Sequence, residues 1–332
     1  MRTVSVNIGT LCTPCCNHCR YCLLSYDGSV PGADWDRSCR YAKRFYDWLK
    51  EHRPELSFAF YFGHSMEHPD FPGAIDFLRK VDSPASRFLQ MDGLAMRTDE
   101  ELRELLRMLK NKGIELIDFT FYGTQAYHDR FSARKGDYDL MLRSLRLANE
   151  IGLDCEIGYP LTQESAPLAE AFLQEIAPCR VKNLFFFVPH SEGRGKKMES
   201  IRLTERDAAQ LPESVRAHFN RSRYRTEKEW LQSGFSVPER RVITLMLTRE
   251  NIARYEKMPP EEAIGEIEEL DDAYYRVIPS AEVLAEKYGD PQGDKLYSER
   301  DLYLCWQRRY IAEKHLDIYD INDERQHFAR RF

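Results

Sequence analysis

The sequence lacks any apolar run near the roughly 20 residues that cross a bilayer. It also lacks a surplus of positive charge. With 48 Lys and Arg against 54 Asp and Glu, the formal net charge is -6, so the overall field does not draw in phosphate backbones and nucleic acid is not an expected partner. The opening residues, Met-Arg-Thr-Val-Ser-Val-Asn-Ile, read as a strand and not as a secretory leader. A soluble chain in a reducing cytoplasm follows as the expectation, and it argues against a disulfide framework, as do the vicinal Cys15 and Cys16. Outside one short stretch cysteine is sparse. Five of the nine lie between Cys12 and Cys22.

That stretch, residues 11–24, is Leu-Cys-Thr-Pro-Cys-Cys-Asn-His-Cys-Arg-Tyr-Cys-Leu-Leu. Cys15, Cys19 and Cys22 stand in a C-x3-C-x2-C arrangement. Three thiolates on one tight loop can hold three irons of a [4Fe–4S] cube and leave the fourth open to a small molecule. Cys12 and Cys16 are then spare, although Cys16, Cys19 and Cys22 form an alternative ligand set. A structural zinc site with His18 as fourth ligand is the competing interpretation, and it would make the protein a non-catalytic metal-binding module.

The remaining pattern alternates strands and helices. Thr3 to Ile8 form a first strand that leads into the cysteine loop, and residues 40–51 a helix with Tyr41, Phe45, Trp48 and Leu49 on one face. Strands follow at residues 57–62, 88–91, 114–121, 153–159 and 181–188, the last expected to be buried on both faces. Helices are expected at 72–81, 138–150 and 166–176. Another is marked by a Thr98–Glu101 capping box, a Leu102, Leu105, Leu106, Leu109 stripe and Gly113 past its end. Six such units predict an α/β fold, a partial (β/α)6 barrel of parallel strands over residues 1–210, with chemistry gathered at the strands' C-terminal ends. Residues 211–332 are charged and read as mainly helical. They include an acidic amphipathic stretch at 261–270, a short helix at 280–288 and a longer one started by Ser298 and Asp301. This region is expected to cover the open side of the barrel and shape substrate choice.

The cysteine loop, with Tyr21 directly before its last cysteine, resembles the cluster loop of the radical S-adenosylmethionine (radical SAM) enzymes, and the six-unit pattern resembles their partial barrel. The resemblance covers about the first 200 residues. It implies one [4Fe–4S] cluster on Cys15, Cys19 and Cys22, with SAM chelated at the open iron. One-electron cleavage of SAM then yields a 5′-deoxyadenosyl radical, with an external reductant such as flavodoxin or ferredoxin supplying the electron. It departs from the usual loop in placing Cys16 before Asn17.

Other strand ends extend the resemblance. The Phe62-Gly63-His64 segment, ending in His68-Pro69, resembles the family's Gly-Gly-Glu-Pro, so Gly63 and His64 would meet the SAM amino group, with Glu67 in reserve. Asp92-Gly93 stands where relatives have Asn-Gly, with an ordinary turn as the alternative. Thr120 to Arg130 resembles a segment of peptide-modifying members and implies that Thr120 contacts SAM. The cluster-loop resemblance implies that Tyr21 lies near the adenine, and Ile157, with a close backbone approach at Gly158, would suit the same ring. Arg134, with Arg130 as competitor, is the candidate to pair with the methionine carboxylate, since a guanidinium fork suits that anion, a solvated surface arginine being the alternative. Gly193-Arg194-Gly195 in the loop from Pro189 to Lys197 resembles their closing loop and offers His190, Ser191, Glu192 and the basic side chains to substrate. The substrate implied is a peptide or protein side chain, with a small metabolite as the alternative. Cys155 or Cys305 is a speculative hydrogen donor. Only Cys305 lies in the last third, so the cysteine-rich domain of many peptide-modifying relatives has no counterpart.

Overall fold

A computed structural model describes residues 2–10, 15–22, 32–63, 65–191, 193–236 and 239–318. Cys12, His64 and Glu192 lie outside the described residues. The first strand, β1 (Arg2–Thr10), is followed by α1 (Trp35–His52), β2 (Ser57–Phe62), α2 (Phe71–Lys80), β3 (Phe88–Gln90) and α3 (Asp99–Asn111). Next come β4 (Leu116–Thr120), α4 (Gln125–Phe131), α5 (Asp137–Ile151), β5 (Asp154–Pro160), α6 (Ala169–Ile176) and β6 (Asn183–Phe187). Local chemistry accounts for the boundaries. The Asp34 side chain caps α1 by accepting from the Arg37 N–H at 3.0 Å, which starts that helix five residues before the periodicity predicts. The Thr98–Glu101 capping box opens α3, and Gly113 (φ 68°) and Gly152 (φ 78°) end α3 and α5 in the left-handed region that suits glycine.

All the ladders are parallel, in two sheets of order β2-β1-β7 and β3-β4-β5-β6. The seventh strand, β7 (Arg240–Leu247), comes from the region the sequence reads as helical. It pairs along the whole of β1, from Arg2 with Arg240 to Thr10 with Leu247. At the outer edge of β2 the Ser83 hydroxyl takes the place of a neighbouring strand, accepting from Phe60 N–H at 3.1 Å and donating to Phe60 C=O at 2.8 Å.

Each sheet has a helix-facing and an inner face. In the second, Ile117, Phe119, Cys155, Ile157, Tyr159 and Phe186 face the helices and are buried, with Tyr159 packed on Phe172 of α6 at 5.1 Å. Strand alternation puts Asp118, Thr120, Glu156, Gly158, Phe185 and Phe187 on the inner face. Phe185 is 40% exposed there, so β6 is not buried on both faces as its apolar sequence suggests; its inner side is open. In the first sheet a Cβ at Gly9 would lie 2.7 Å from Met246 Sδ and 2.8 Å from the Tyr61 ring, so glycine lets those side chains meet across β1.

The C-terminal region adds α7 (Glu205–Ala209), α8 (Glu213–Arg216), α9 (Glu227–Ser233), α10 (Ile252–Tyr255), α11 (Pro260–Val277), α12 (Ala281–Tyr288) and α13 (Glu299–Glu313). Two buried polar contacts fasten it. Arg241 of β7 donates from Nε to Asp271 of α11 at 2.5 Å, with both side chains nearly inaccessible. Asp301 in the first turn of α13 accepts from the Ser191 N–H at 3.1 Å and contacts His190 Nδ1 at 3.2 Å, holding α13 on the loop after β6. Among the described residues no helix is long and apolar enough to cross a membrane.

Candidate iron–sulfur and SAM site

The cysteine loop lies where β1 ends, and its backbone is stitched to loops that leave other strands. Cys16 N–H donates to Gly93 C=O after β3 (3.0 Å), and His18 and Arg20 N–H donate to Ser132 and Phe131 C=O beyond β4 (2.9 and 3.0 Å). Arg194 N–H, after β6, donates to Cys22 C=O at 3.0 Å, while Cys22 N–H closes a turn on Cys19 C=O at 3.2 Å. Glycine makes two of these approaches possible. Gly93 adopts φ 75° and Gly193 φ 51°, and a Cβ on Gly195 would sit 2.0 Å from the His190 carbonyl oxygen. The Asp92-Gly93 turn is therefore both a turn and a brace for the loop.

Cys15, Cys19 and Cys22 lie within electrostatic reach of one another. Cys16 and His18 are exposed. Burial pushes the Cys15 thiol up to about 12 and the Cys19 thiol well above its ordinary value, outweighing the hydrogen bonds that favour the thiolates. Two sulfurs accept hydrogen bonds, Cys15 Sγ from the Asn17 N–H at 3.3 Å and Cys19 Sγ from the Tyr122 hydroxyl at 3.2 Å. Among the described residues no three His, Cys, Asp or Glu side chains converge closely enough to hold a metal ion. The donor set nevertheless suits an iron–sulfur group. A cation replaces the protons of buried thiols as they ligate it, and donors already aimed at sulfur stabilise the thiolates.

Tyr21 packs among Tyr122, Phe131 and Phe187 at centroid distances of 5.5, 5.6 and 6.5 Å, forming an aromatic wall beside Cys19. Thr120 is buried on the inner face, and its N–H donates to Asp92 Oδ1 at 2.9 Å. Burial and the neighbouring charge of Asp118 raise Asp92 to about 7. Gly63 has φ 36° and donates its N–H to Thr10 C=O at 2.9 Å, placing it at the mouth beside β1.

The other candidate residues lie in varied surroundings. Ile157 points into the helix-facing core, and Gly158 beside it is the residue of β5 that lies on the inner face. Cys155 shares that outer orientation and accepts from the Asn149 side-chain amide at 3.4 Å, away from the mouth. Arg134 is engaged within the protein, donating to Asn17 Oδ1 at 3.2 Å and to the Leu94 carbonyl and pairing with Asp137 at 3.7 Å, so it braces the cysteine loop. Glu67 accepts from Ala95 N–H at 2.8 Å and Arg97 at 2.6 Å, joining the loops after β2 and β3. Arg130 reaches Glu164 at 3.9 Å from an exposed position. Cys305, on α13, accepts from Arg308 at 3.6 Å.

Beneath the loop lie residues that sequence spacing does not single out. Asp137 Oδ2 accepts from the Asn17 amide at 2.9 Å and contacts His128 Nε2 at 2.9 Å, and all three residues are buried. Asn17 and Asp137 are 120 positions apart. Lower in the barrel one rung of the inner face carries Gln90, Asp118, Glu156 and Asn183 in register across four strands, with Asn183 donating to Glu156 at 2.8 Å. Asp118 Oδ1 is buried without a hydrogen-bond partner, and burial, with Glu156 nearby, lifts this carboxyl to about 6.

Residues 11–164 match the family model described as the Radical SAM superfamily. No curated protein sequence matches the chain. Among solved structures, SuiB of Streptococcus suis bound to its precursor peptide SuiA is similar with a TM-score of 0.52 at 9% identity, over 79% of this chain and 62% of that one. At that identity the likeness is one of fold, and the chain spans about three-fifths of SuiB's length. Native anSMEcpe with bound AdoMet gives 0.41 at 17% identity, over 56% of this chain and 51% of that one. Coproporphyrinogen III oxidase (HemN) from Escherichia coli gives 0.38 at 14% identity, over 62% and 50%. The matched segment runs from the cysteine loop through the fifth strand of a partial barrel, so this part of the chain is similar to the radical SAM superfamily, whose members are enzymes.

Proposed function

We propose that the chain is a radical SAM enzyme in which Cys15, Cys19 and Cys22 hold one [4Fe–4S] cluster at the mouth of the barrel. When bound, cluster and SAM together supply a 5′-deoxyadenosyl radical that abstracts hydrogen from substrate. The observation that carries this proposal is that three thiols within electrostatic reach of one another lie at the end of β1, in a loop tied to the ends of the other strands. A carbonyl at Gly63 suits the SAM ammonium, Thr120 and Gly158 line the inner face where the nucleoside would lie, and Tyr21 closes one wall. The chain's own task is to orient both reactants and keep water from the radical.

For the substrate we favour a peptide or protein side chain. This rests on the Thr120–Arg130 segment and the Gly193-Arg194-Gly195 loop, and on the open inner side of β6, where Phe185 is exposed. SuiB, of similar fold, was solved with a precursor peptide. A one-electron protein donor of the flavodoxin or ferredoxin type would supply the electron. The test is hydrogen transfer from deuterated candidates. Deuterium in 5′-deoxyadenosine from a peptide library supports a peptide substrate, and label arriving only from small metabolites overturns it.

A further inference from the structure

Cys15 and Cys19 each accept a hydrogen bond at sulfur, and both lines of contact run back to Asp137. One passes through the Asn17 amide to the Asn17 N–H that meets Cys15 Sγ at 3.3 Å. The other begins at His128. Its Nδ1 accepts from the Tyr122 N–H at 3.2 Å, which leaves the ring proton on Nε2, donated to Asp137 at 2.9 Å. Tyr122 is thereby fixed by its backbone, and its ring is clamped between His128 (4.8 Å) and Phe131 (4.5 Å) with Tyr21 at its edge (5.5 Å). At the end of that support its hydroxyl donates to Cys19 Sγ at 3.2 Å. Tyr122 is only 3% exposed, so water does not compete for this bond.

We propose that Tyr122 is a positioning residue that sets the reduction potential of the iron–sulfur group on the cysteine loop, through its hydroxyl to the Cys19 sulfur, with His128 and Asp137 holding it in place. This rests on the assignment of Cys15, Cys19 and Cys22 as ligands. Reduction adds one electron from an external one-electron donor, and no bond forms or breaks. The added negative charge spreads onto the thiolate sulfurs, so an O–H aimed at one of them stabilises the reduced state more than the oxidised one. Tyr122 thus makes reduction easier inside an otherwise apolar, aromatic wall.

Tyr122→Phe removes the hydroxyl and keeps the ring. Wild type and variant are reconstituted anaerobically with iron and sulfide, checked for equal iron content, and titrated against a poised potential with the reduced signal read by electron paramagnetic resonance. The variant is expected to titrate at a more negative potential, its reduced-to-oxidised ratio at fixed potential falling about tenfold, equivalent to about 59 mV for one electron. An unchanged or more positive potential overturns the proposal. Should the variant not load, 3-fluorotyrosine at position 122 keeps the hydroxyl as a stronger donor and is expected to move the potential upward; no shift overturns the proposal equally. A wild-type protein that takes up no cluster would sink the ligand assignment and the tuning together, whereas a loaded wild type with an indifferent variant sinks the tuning alone.

Discussion

At the scale of single residues, the loop separates two cysteines that the sequence leaves as rivals. Cys15 is partly buried beside Cys19 and Cys22, whereas Cys16 is exposed, its backbone spent on Gly93. Cys15→Ala is therefore expected to abolish cluster uptake, taking iron from about four per chain to near zero, while Cys16→Ala keeps it; iron analysis of the reconstituted proteins reads the difference. The opposite pattern would show Cys16 to be the ligand. A second residue-scale consequence concerns Asp118. Its carboxyl is raised to about 6 in the fold, chiefly by burial, from 3.8. A raised carboxyl contributes stability that is complete below about pH 4 and is lost as pH climbs through about 6, a loss of about 3 kcal/mol. Urea denaturation of the apo-protein should show that decline between pH 4 and 7, and Asp118→Asn should make it shallower, with the part owed to the raised Asp92 carboxyl remaining. A variant with the same slope would mean that Asp118 titrates normally.

At the scale of elements, how far the sequence could be read depended on whether the signal was local. The capping box of α3, the glycine stops of α3 and α5 and the β1 loop are written in neighbouring residues and appear as expected. Helix α4 is not, since its seven residues are too short for a stripe to stand out. Strand β7 was missed because Arg240-Arg241 reads as a surface charge pair, yet Arg241 is 3% exposed and satisfied by Asp271 from thirty residues away. The brace of Asn17, His128, Asp137 and Arg134 was unreadable for the same reason: its partners meet only in three dimensions. Arg134 stood out as a cation near the mouth, and nothing in its neighbours revealed that Asn17 and Leu94 would occupy it. Ile157 was correctly placed in a strand, but the face it presents depends on where the helices lie. The β7–α11 pair gives the prediction at this scale. Arg241→Ala strands a buried carboxylate at Asp271 and should cost about 3–5 kcal/mol of unfolding free energy, measured by denaturant titration. A loss below about 1 kcal/mol would show that water reaches the site.

At the scale of the whole molecule, two parallel sheets bring every loop that touches the cysteines to one end. The C-terminal region takes part in that architecture, since β7 extends the sheet beside β1 and α13 grips the loop after β6 through Asp301. The thiols thus sit where strand ends, the aromatic wall and the Gly193–Gly195 loop converge, above an inner face that carries Thr120, Gly158 and the acidic rung. That convergence is what a cofactor needs if its reactive product is to meet substrate before water. The most direct measurement is anaerobic: the protein is reconstituted with iron and sulfide, reduced, given SAM, and assayed for 5′-deoxyadenosine while the cluster spectrum is followed. SAM is expected to change the spectrum and 5′-deoxyadenosine to form, both abolished by Cys19→Ala. A colourless protein, or a cluster whose spectrum ignores SAM, would contradict radical initiation at this site.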